Sequence, residues 1–162
     1  MIRLASLFAI SLIATASSAP LADAAKRKDR SAVRALLGRR VEVNAPQADG
    51  TTALHWAAHQ EDLETAELLV RAGANVKAAN RYGVTPLSLA CTGKVEAVKS
   101  LLSHKADAHA KEGRRGQTAL MWAAAEGHVE VVEALIQAGA DFRARLDSGF
   151  TPLLFAVREG QA

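Results

Sequence analysis

Residues 50–58 read Gly-Thr-Thr-Ala-Leu-His-Trp-Ala-Ala, and this phrase returns three more times along the chain. The other copies are residues 83–91 (Gly-Val-Thr-Pro-Leu-Ser-Leu-Ala-Cys), 116–124 (Gly-Gln-Thr-Ala-Leu-Met-Trp-Ala-Ala) and 149–157 (Gly-Phe-Thr-Pro-Leu-Leu-Phe-Ala-Val). The glycines that open the copies are 33 residues apart each time. A fixed period of this length is typical of a repeat protein in which every copy is one structural unit.

Each unit has the pattern of two short helices. The threonine of the phrase is suited to cap the first helix, because its hydroxyl can accept a hydrogen bond from a free backbone amide. The second helix is predicted over residues 63–70, 95–102 and 129–136, where apolar residues recur at helical spacing. Gly73 and Gly139 are expected to end it in the left-handed conformation. One such pair cannot bury its own apolar face, so the pairs are expected to stack. The capping candidates are Thr52, Thr85, Thr118 and Thr151.

The period, the Thr-Pro-Leu phrase and the later Ala-Gly-Ala-Asn/Asp phrase at residues 72–75 and 138–141 resemble the ankyrin repeat family. The resemblance runs from about Leu21 to the end of the chain. It implies an all-α fold, an ankyrin-type α-solenoid of stacked helix-turn-helix units with short β-hairpin or turn connections. It also implies a role in protein–protein recognition, and it brings no catalytic motif with it.

The period divides the chain into units. Residues 17–48 are interpreted as a degenerate N-terminal capping repeat with helices over 21–28 and 31–37. Full repeats are predicted over 49–81, 82–114 and 115–147, and a truncated repeat over 148–162. Because the truncated repeat lacks a second helix, Leu153, Phe155 and Val157 are expected to be poorly covered.

The third unit (82–114) departs from the pattern. It has one residue fewer between Cys91 and Val95 than its neighbours have at that place, and the loop at 111–116 carries one residue more. Lys105 stands where the other units have the glycine that ends the second helix. A non-glycine residue in the left-handed region costs about 1 kcal/mol. The third unit is therefore predicted to be the least stable.

The N-terminus has the pattern of a secretory signal peptide, with Arg3, an apolar run over 4–14 and small residues after it. We place the signal at residues 1–16, with a cut after Ala16 and a latest position after Ala19. The alternative is an uncleaved membrane anchor, although the run is shorter than a comfortable span. The expectation is a periplasmic or secreted monomer with no membrane span after signal cleavage.

The composition argues for binding rather than catalysis. The chain has 20 basic and 17 acidic side chains, a balance that does not indicate nucleic acid as a partner. His55 and His59 have a spacing that can hold a metal, but no third ligand lies nearby, and the resemblance makes His55 a structural residue. Cys91 is interpreted as a small buried hydrophobe. We expect no enzyme activity, cofactor or metal site.

Two other groups of residues have alternative interpretations. Trp56 and Trp122 occupy matching positions and are predicted to be core residues, with a ligand-binding aromatic pair as the alternative. A basic group in the first unit is interpreted as the polar face that a terminal cap needs. The alternative is a site for an acidic partner, anionic lipid or polyanion. This basic group is Lys26, Arg27, Lys28, Arg30, Arg34, Arg39 and Arg40.

The resemblance also implies where a partner would bind: the tips of the turns and the exposed part of each first helix. Arg81, Tyr82, Arg114 and Arg115 are the favoured anchors, because aromatic and arginine side chains are enriched at interface hot spots. The partner is a protein, and an acidic one is an option. The complete set of candidate residues is Asp49, His59, Gln60, Arg81, Tyr82, Lys111, Arg114, Arg115, Gln117, Glu126, Arg145, Asp147, Phe150 and Arg158.

Two functions remain open on the sequence. The first is a protein-binding ankyrin repeat scaffold that acts outside the cytoplasm. The second is the recognition module of a larger exported enzyme or toxin whose active domain is not in this chain.

Overall fold

The structure is a computed structural model that describes residues 19–161, so the predicted signal peptide at 1–16 lies outside the described residues. The described part of the chain forms helices connected by turns, with a single isolated antiparallel bridge between Lys111 and Thr118 and no strand. The helices are α1 (Pro20–Lys26), α2 (Arg30–Gly38), α3 (Ala53–His59), α4 (Leu63–Arg71), α5 (Pro86–Ala90), α6 (Val95–Ser103), α7 (Ala119–Glu126), α8 (Val129–Gln137) and α9 (Pro152–Arg158).

The helices form two stacked layers. The inner layer is α1, α3, α5, α7 and α9, each of which contacts the next, and the outer layer is α2, α4, α6 and α8 in the same order. Each inner helix also packs on the outer helix that follows it, except that α9 has no outer partner among residues 19–161. The prediction of an all-α solenoid is confirmed. The connections are turns rather than regular hairpins.

The helix boundaries have the predicted chemistry. The hydroxyls of Thr85, Thr118 and Thr151 each accept a hydrogen bond from the backbone amide three residues on. Gly73 and Gly139 adopt φ values of 92° and 90°, in the left-handed region that ends a helix. The outer helices α4, α6 and α8 each extend one residue beyond their predicted ends.

The core is built from leucine and alanine along the stack axis. Leu21, Leu54, Leu87 and Leu120 lie one period apart, and each is at most 1% exposed. Leu153 has the same position in the last unit and is 68% exposed, because no outer helix among residues 19–161 covers it. Burying a leucine side chain is worth about 1.5–3 kcal/mol, so each additional unit contributes by covering the one before it.

Two predictions about aromatic residues need correction. Phe155 is not poorly covered: it is 3% exposed, because its ring points back to the stack and meets the Phe150 ring edge-on at 5.5 Å. Leu153 and Val157 do remain exposed, as predicted. Trp56 and Trp122 pack against the core but are only half-buried, so they lie at its edge rather than inside it.

The third unit carries the predicted irregularities. Its inner helix α5 has five residues, whereas α3 has seven and α7 has eight. Between inner and outer helix, the second and fourth units turn through a left-handed residue, Glu61 and Gly127, and the third unit has no such residue there. Lys105 adopts φ 68°, so a lysine does occupy the left-handed position at the end of α6.

Candidate protein-binding surface

Four turns project from the stack ahead of the inner helices, and we define them as the first (47–51), second (80–84), third (112–117) and fourth (146–150) turn. In three of them a backbone amide donates to the carbonyl four residues on, with distances of 2.9, 3.0 and 2.9 Å. In the third turn the Glu112 amide donates to the Gln117 carbonyl, five residues on, at 2.9 Å. The extra residue predicted at 111–116 is therefore accommodated within this turn.

Neighbouring turns are joined by backbone hydrogen bonds. The Arg81 amide donates to the Asp49 carbonyl at 2.9 Å, and the Gly113 amide donates to the Tyr82 carbonyl at 2.6 Å. The approach is so close that a Cβ at Gly83 would collide with the backbone nitrogen of Gly113, and Gly83 itself has φ 76°. A glycine is required there on both grounds. The turns thus form a continuous ridge from the first to the third.

The fourteen predicted residues all reach the protein surface. Asp49, Gln60, Gln117 and Phe150 are half-buried, and the other ten are exposed. Among the half-buried residues, Asp49 has a structural task, because its carboxylate accepts the Thr51 backbone amide at 2.9 Å. That hydrogen bond lowers the pKa of Asp49 and keeps the carboxylate charged.

Two arginines of the predicted set stack on aromatic rings. The Arg81 guanidinium lies 5.0 Å from the Tyr82 ring centre and donates a hydrogen bond to the Tyr82 hydroxyl at 2.9 Å. The Arg158 guanidinium lies 5.7 Å from the Phe150 ring and 5.0 Å from the Phe155 ring. Stacking holds these flexible side chains in place at the surface, which lowers the entropy cost of a contact with a partner.

The inner-helix members of the set are less uniform. His59 meets the Trp56 ring edge-on at 6.3 Å and stays exposed, and Glu126 is exposed at the end of α7. The Gln60 side-chain amide instead donates to the Lys26 carbonyl at 2.9 Å, so Gln60 ties the second unit to the first. Of these three residues, only His59 and Glu126 are exposed.

His55 is a structural residue. Its Nδ1 accepts the Thr52 backbone amide at 3.1 Å, and its Nε2 lies 3.0 Å from the Val84 carbonyl oxygen, to which it donates. Burial lowers the pKa of His55, so the ring is held in the neutral form that these bonds need. Both ring nitrogens are occupied, which leaves neither for a metal. Residues 19–161 contain no group of three or more side chains suited to hold a metal ion.

Cys91 is chemically shielded. It is fully buried within the third unit, and burial raises the pKa of its thiol to about 12. The thiolate is the reactive form of cysteine, so this residue behaves as a small hydrophobe, as the sequence suggested.

Two arginines of the basic group in the first unit form ion pairs with the second unit, which the sequence alone did not predict. Arg30 forms two hydrogen bonds to the Asp62 carboxylate, at 2.7 and 3.1 Å, and a third to Glu64 at 2.9 Å. Arg34 also pairs with Glu64. The spacing held a signal for these contacts, because Arg30 and Asp62 lie about one period apart and so occupy neighbouring outer-layer positions. These ion pairs join the outer helix of the first unit to that of the second.

The end of the stack beyond α7 and α8 is apolar. Val129, Phe142 and Leu153 are 66%, 53% and 68% exposed, and a groove of about 410 Å³ lies between α8 and α9. Side chains of this kind are normally covered in a solenoid by the next outer helix or by a polar capping repeat. Among residues 19–161, no helix is both long enough and apolar enough to cross a membrane.

The sequence matches known proteins over this same repeat region. The family model described as Ankyrin repeats (3 copies) matches residues 21–112 and 93–162. Human ankyrin repeat and SOCS box protein 16 is 37% identical over 152 residues, which is 88% of this chain and 33% of the human protein. A putative ankyrin repeat protein of fowlpox virus (strain NVSL) is 31% identical over 62% of this chain and 30% of its own length.

A third relative carries an enzyme name. The palmitoyltransferase AKR1 of Lachancea kluyveri is 30% identical over 138 residues, which is 82% of this chain but 19% of that protein. The chain spans a third or less of the length of each of these relatives. The shared part is the ankyrin repeat region. The usual role of this fold is to bind other proteins.

Proposed function

Because the chain belongs to the ankyrin repeat family, we propose that it is a protein-binding scaffold that acts outside the cytoplasm and has no catalytic activity of its own. The observation that carries this proposal is the in-register stack of turns and inner helices. It presents side chains of several units on one side of the molecule, where stacked arginines such as Arg81 and Arg158 are already ordered. Ordered arginine and aromatic side chains are the residues that dominate protein interfaces.

Partner capture from the exported fraction, with and without charge reversal, tests the binding proposal. The variant R81E/R114E/R115E should lose the protein that wild type retains. The matched control R71E/K77E/K99E changes three exposed cations away from the turns, and it should retain that protein. Equal retention by both variants would remove the turns from the binding surface.

Action outside the cytoplasm is supported by the composition of residues 1–16. A cut before Ala19, such as the one after Ala16, is supported by the role of Ala19, which is fully buried and whose carbonyl accepts the Asp23 amide at 3.0 Å. A reporter that is active only after export, fused behind residues 1–19, should become active. A fusion that stays inactive while its protein accumulates would contradict export.

The alternative is that the chain is the recognition module of a larger exported enzyme or toxin. It is favoured by the apolar end of the stack, where Val129 and Leu153 need a cover. Adding a polar capping helix after residue 162 provides the test. If the added helix raises the free energy of unfolding and blocks binding of a further domain to the apolar end of the stack, the alternative is favoured. If Leu153→Glu changes neither partner capture nor the binding of such a domain, the alternative is contradicted.

A further inference from the structure

A basic cleft separates the third and fourth turns. It has a volume of about 540 Å³, and residues 111–116 and 145–148 line it. We propose that this cleft is the binding site for an acidic, extended peptide segment of the protein partner. The proposal rests on the proposed binding function and specifies the chemistry of one part of the partner.

The cleft exists because the ridge of turns is interrupted at this point. The first turn is bonded to the second, and the second to the third, each time through the amide of the second residue of the later turn: Arg81 and Gly113. Asp147 has that position in the fourth turn, and no backbone hydrogen bond joins it to the third turn in the described structure. The third turn is one residue longer than the others, and this extra residue coincides with the break.

The side chains around the cleft give it a positive charge. Lys111, Arg114, Arg115 and Arg145 are all exposed, and none takes part in an ion pair among residues 19–161. Arg30 and Arg34, by contrast, are paired within the protein.

The carboxylates of the cleft do not neutralise these cations. Glu112 is 8% exposed, and its carboxylate accepts the backbone amide of Arg115, so it is turned toward the third turn itself. Asp147 is the one exposed carboxylate of the lining. Four cations therefore face one solvent-exposed carboxylate, and the cleft attracts negative charge.

The geometry favours a peptide over a small anion. Arginine forks bind carboxylates through two parallel hydrogen bonds, so Arg114, Arg115 and Arg145 suit aspartate and glutamate side chains. The break in the ridge also leaves the edges of two turns without the main-chain contacts that join the others. An extended segment can supply both the carboxylates and main-chain groups, as in strand addition. No aromatic side chain lines the cleft, so stacking of nucleic-acid bases is not provided for.

Fluorescence anisotropy with a labelled glutamate-rich decapeptide tests the charge requirement. Wild type should bind this peptide about tenfold or more tightly than the same peptide with glutamine in place of glutamate. The variant R114E/R145E should lose at least about tenfold in affinity, and the control K77E/K99E, which makes the same change in net charge, less than about twofold. Equal losses in both variants would overturn the cleft as the site. Tighter binding of a single-stranded oligonucleotide than of the peptide would overturn the peptide class.

Deleting Gly113 tests the shape of the cleft at constant charge. The third turn then reads Glu-Arg-Arg-Gly-Gln and has the length of the second turn, Asn-Arg-Tyr-Gly-Val. The ridge should close, and affinity for the glutamate peptide should fall about tenfold while the melting temperature holds or rises. A folded deletion variant with wild-type affinity would overturn the role of the break. If R114E/R145E still captures the natural partner, the cleft is overturned and the scaffold function stands.

Discussion

The second unit (49–81) and the third unit (82–114) have the same helix pattern but are held together differently. In the second unit His55 bonds to the next turn, Asp62 caps the outer helix, and Gly73 ends it. In the third unit Ser88, Lys94 and Lys105 stand at the corresponding places, and Lys94 makes no side-chain cap bond. The third unit lacks these local stabilising contacts. The basic cleft between the third and fourth turns lies at the end of this unit.

The stability of a repeat stack can therefore vary along its length. A solenoid is stabilised by each unit and by the interfaces between neighbours, so one unit can be weak while its neighbours hold it in place. The apolar core runs on unchanged through Leu87 and Leu101, which are buried like their counterparts Leu54 and Leu69. What the third unit lacks is the histidine bond to the next turn and the side-chain cap of its outer helix.

The largest effect should come from removing the histidine that links units. His55→Ala deletes bonds to Thr52 and Val84 and leaves a cavity, so it should lower the free energy of unfolding by about 3 kcal/mol. Ser88→Ala, the matched change in the third unit, removes a hydroxyl that bonds within its own cap and should cost about 1 kcal/mol or less. Urea denaturation measures both. Similar losses of stability in the two variants would mean that the histidine does not make the second unit more stable than the third.

Next in size are the caps of the outer helices. Asp62→Ala removes the cap bonds to Thr65 and the partner of Arg30, and we expect a loss of about 2 kcal/mol. Lys94→Asp installs the missing cap in the third unit and should gain about 1 kcal/mol. Thermal denaturation of the two variants measures both changes in stability. An unchanged melting temperature for Lys94→Asp would show that the third unit is not weakened by the missing cap.

A smaller effect is expected at the helix ends. Lys105→Gly relieves a lysine at φ 68° and should stabilise the protein by up to about 1 kcal/mol. Gly73→Ala should cost a similar amount, and that cost is conformational, because no atom lies within 4 Å of the added Cβ. Equilibrium unfolding provides the comparison. A destabilising Lys105→Gly would contradict the assignment of strain to Lys105.

The smallest effect is a pH dependence confined to the second unit. Burial lowers the pKa of His55 below its ordinary value of 6.5, so the unfolded chain binds a proton more readily than the native protein does. Stability should therefore be full above this value and decline as the pH falls through it, by less than about 1 kcal/mol between about pH 7 and pH 6. Urea midpoints across this range measure it. His55→Gln should abolish this part of the decline, and an unaltered pH profile would rule out His55 as its source.

The Asp62 carboxylate adds an acid limit of its own. Burial by itself would raise its pKa, but the hydrogen bonds from Arg30 and Thr65 outweigh burial, and the pKa of Asp62 is lowered. The stability that it contributes is present above the ordinary carboxyl pKa of 3.8 and is lost as the pH falls below that value. This window is well separated from that of His55.

Local features of the fold could be predicted from the sequence because they depend on neighbouring residues. Helix starts at Thr85 and Thr151 and ends at Gly73 and Gly139 follow from caps and backbone preferences that act within a few residues. The lysine at the helix-ending position, Lys105, could be predicted in the same way, because aligning the repeats shows that glycine stands there in the neighbouring units.

Features that depend on packing between units were missed. The burial of Phe155 follows from the direction of its ring toward α7 and Phe150, which the absence of a following helix did not reveal. Trp56 remains half-buried because it lies at the edge of the inner layer, where its indole nitrogen donates to Gln47 at 2.8 Å. Of the candidate binding residues, the sequence named the side chains of the cleft but not the break between turns that brings Arg114 and Arg145 to one opening.

Native-state hydrogen exchange, read by mass spectrometry on peptides from α4 and α6, tests the contrast between the two units most directly. These helices have equal lengths and equivalent outer positions, so a difference in exchange reports on how each unit is held. We expect amides of 95–105 to exchange faster than those of 63–73, and the Lys94→Asp/Lys105→Gly variant to reduce the gap. If Cys91–Asp107 proves to be the most protected region of the protein, the claim that the third unit is the weak one is wrong.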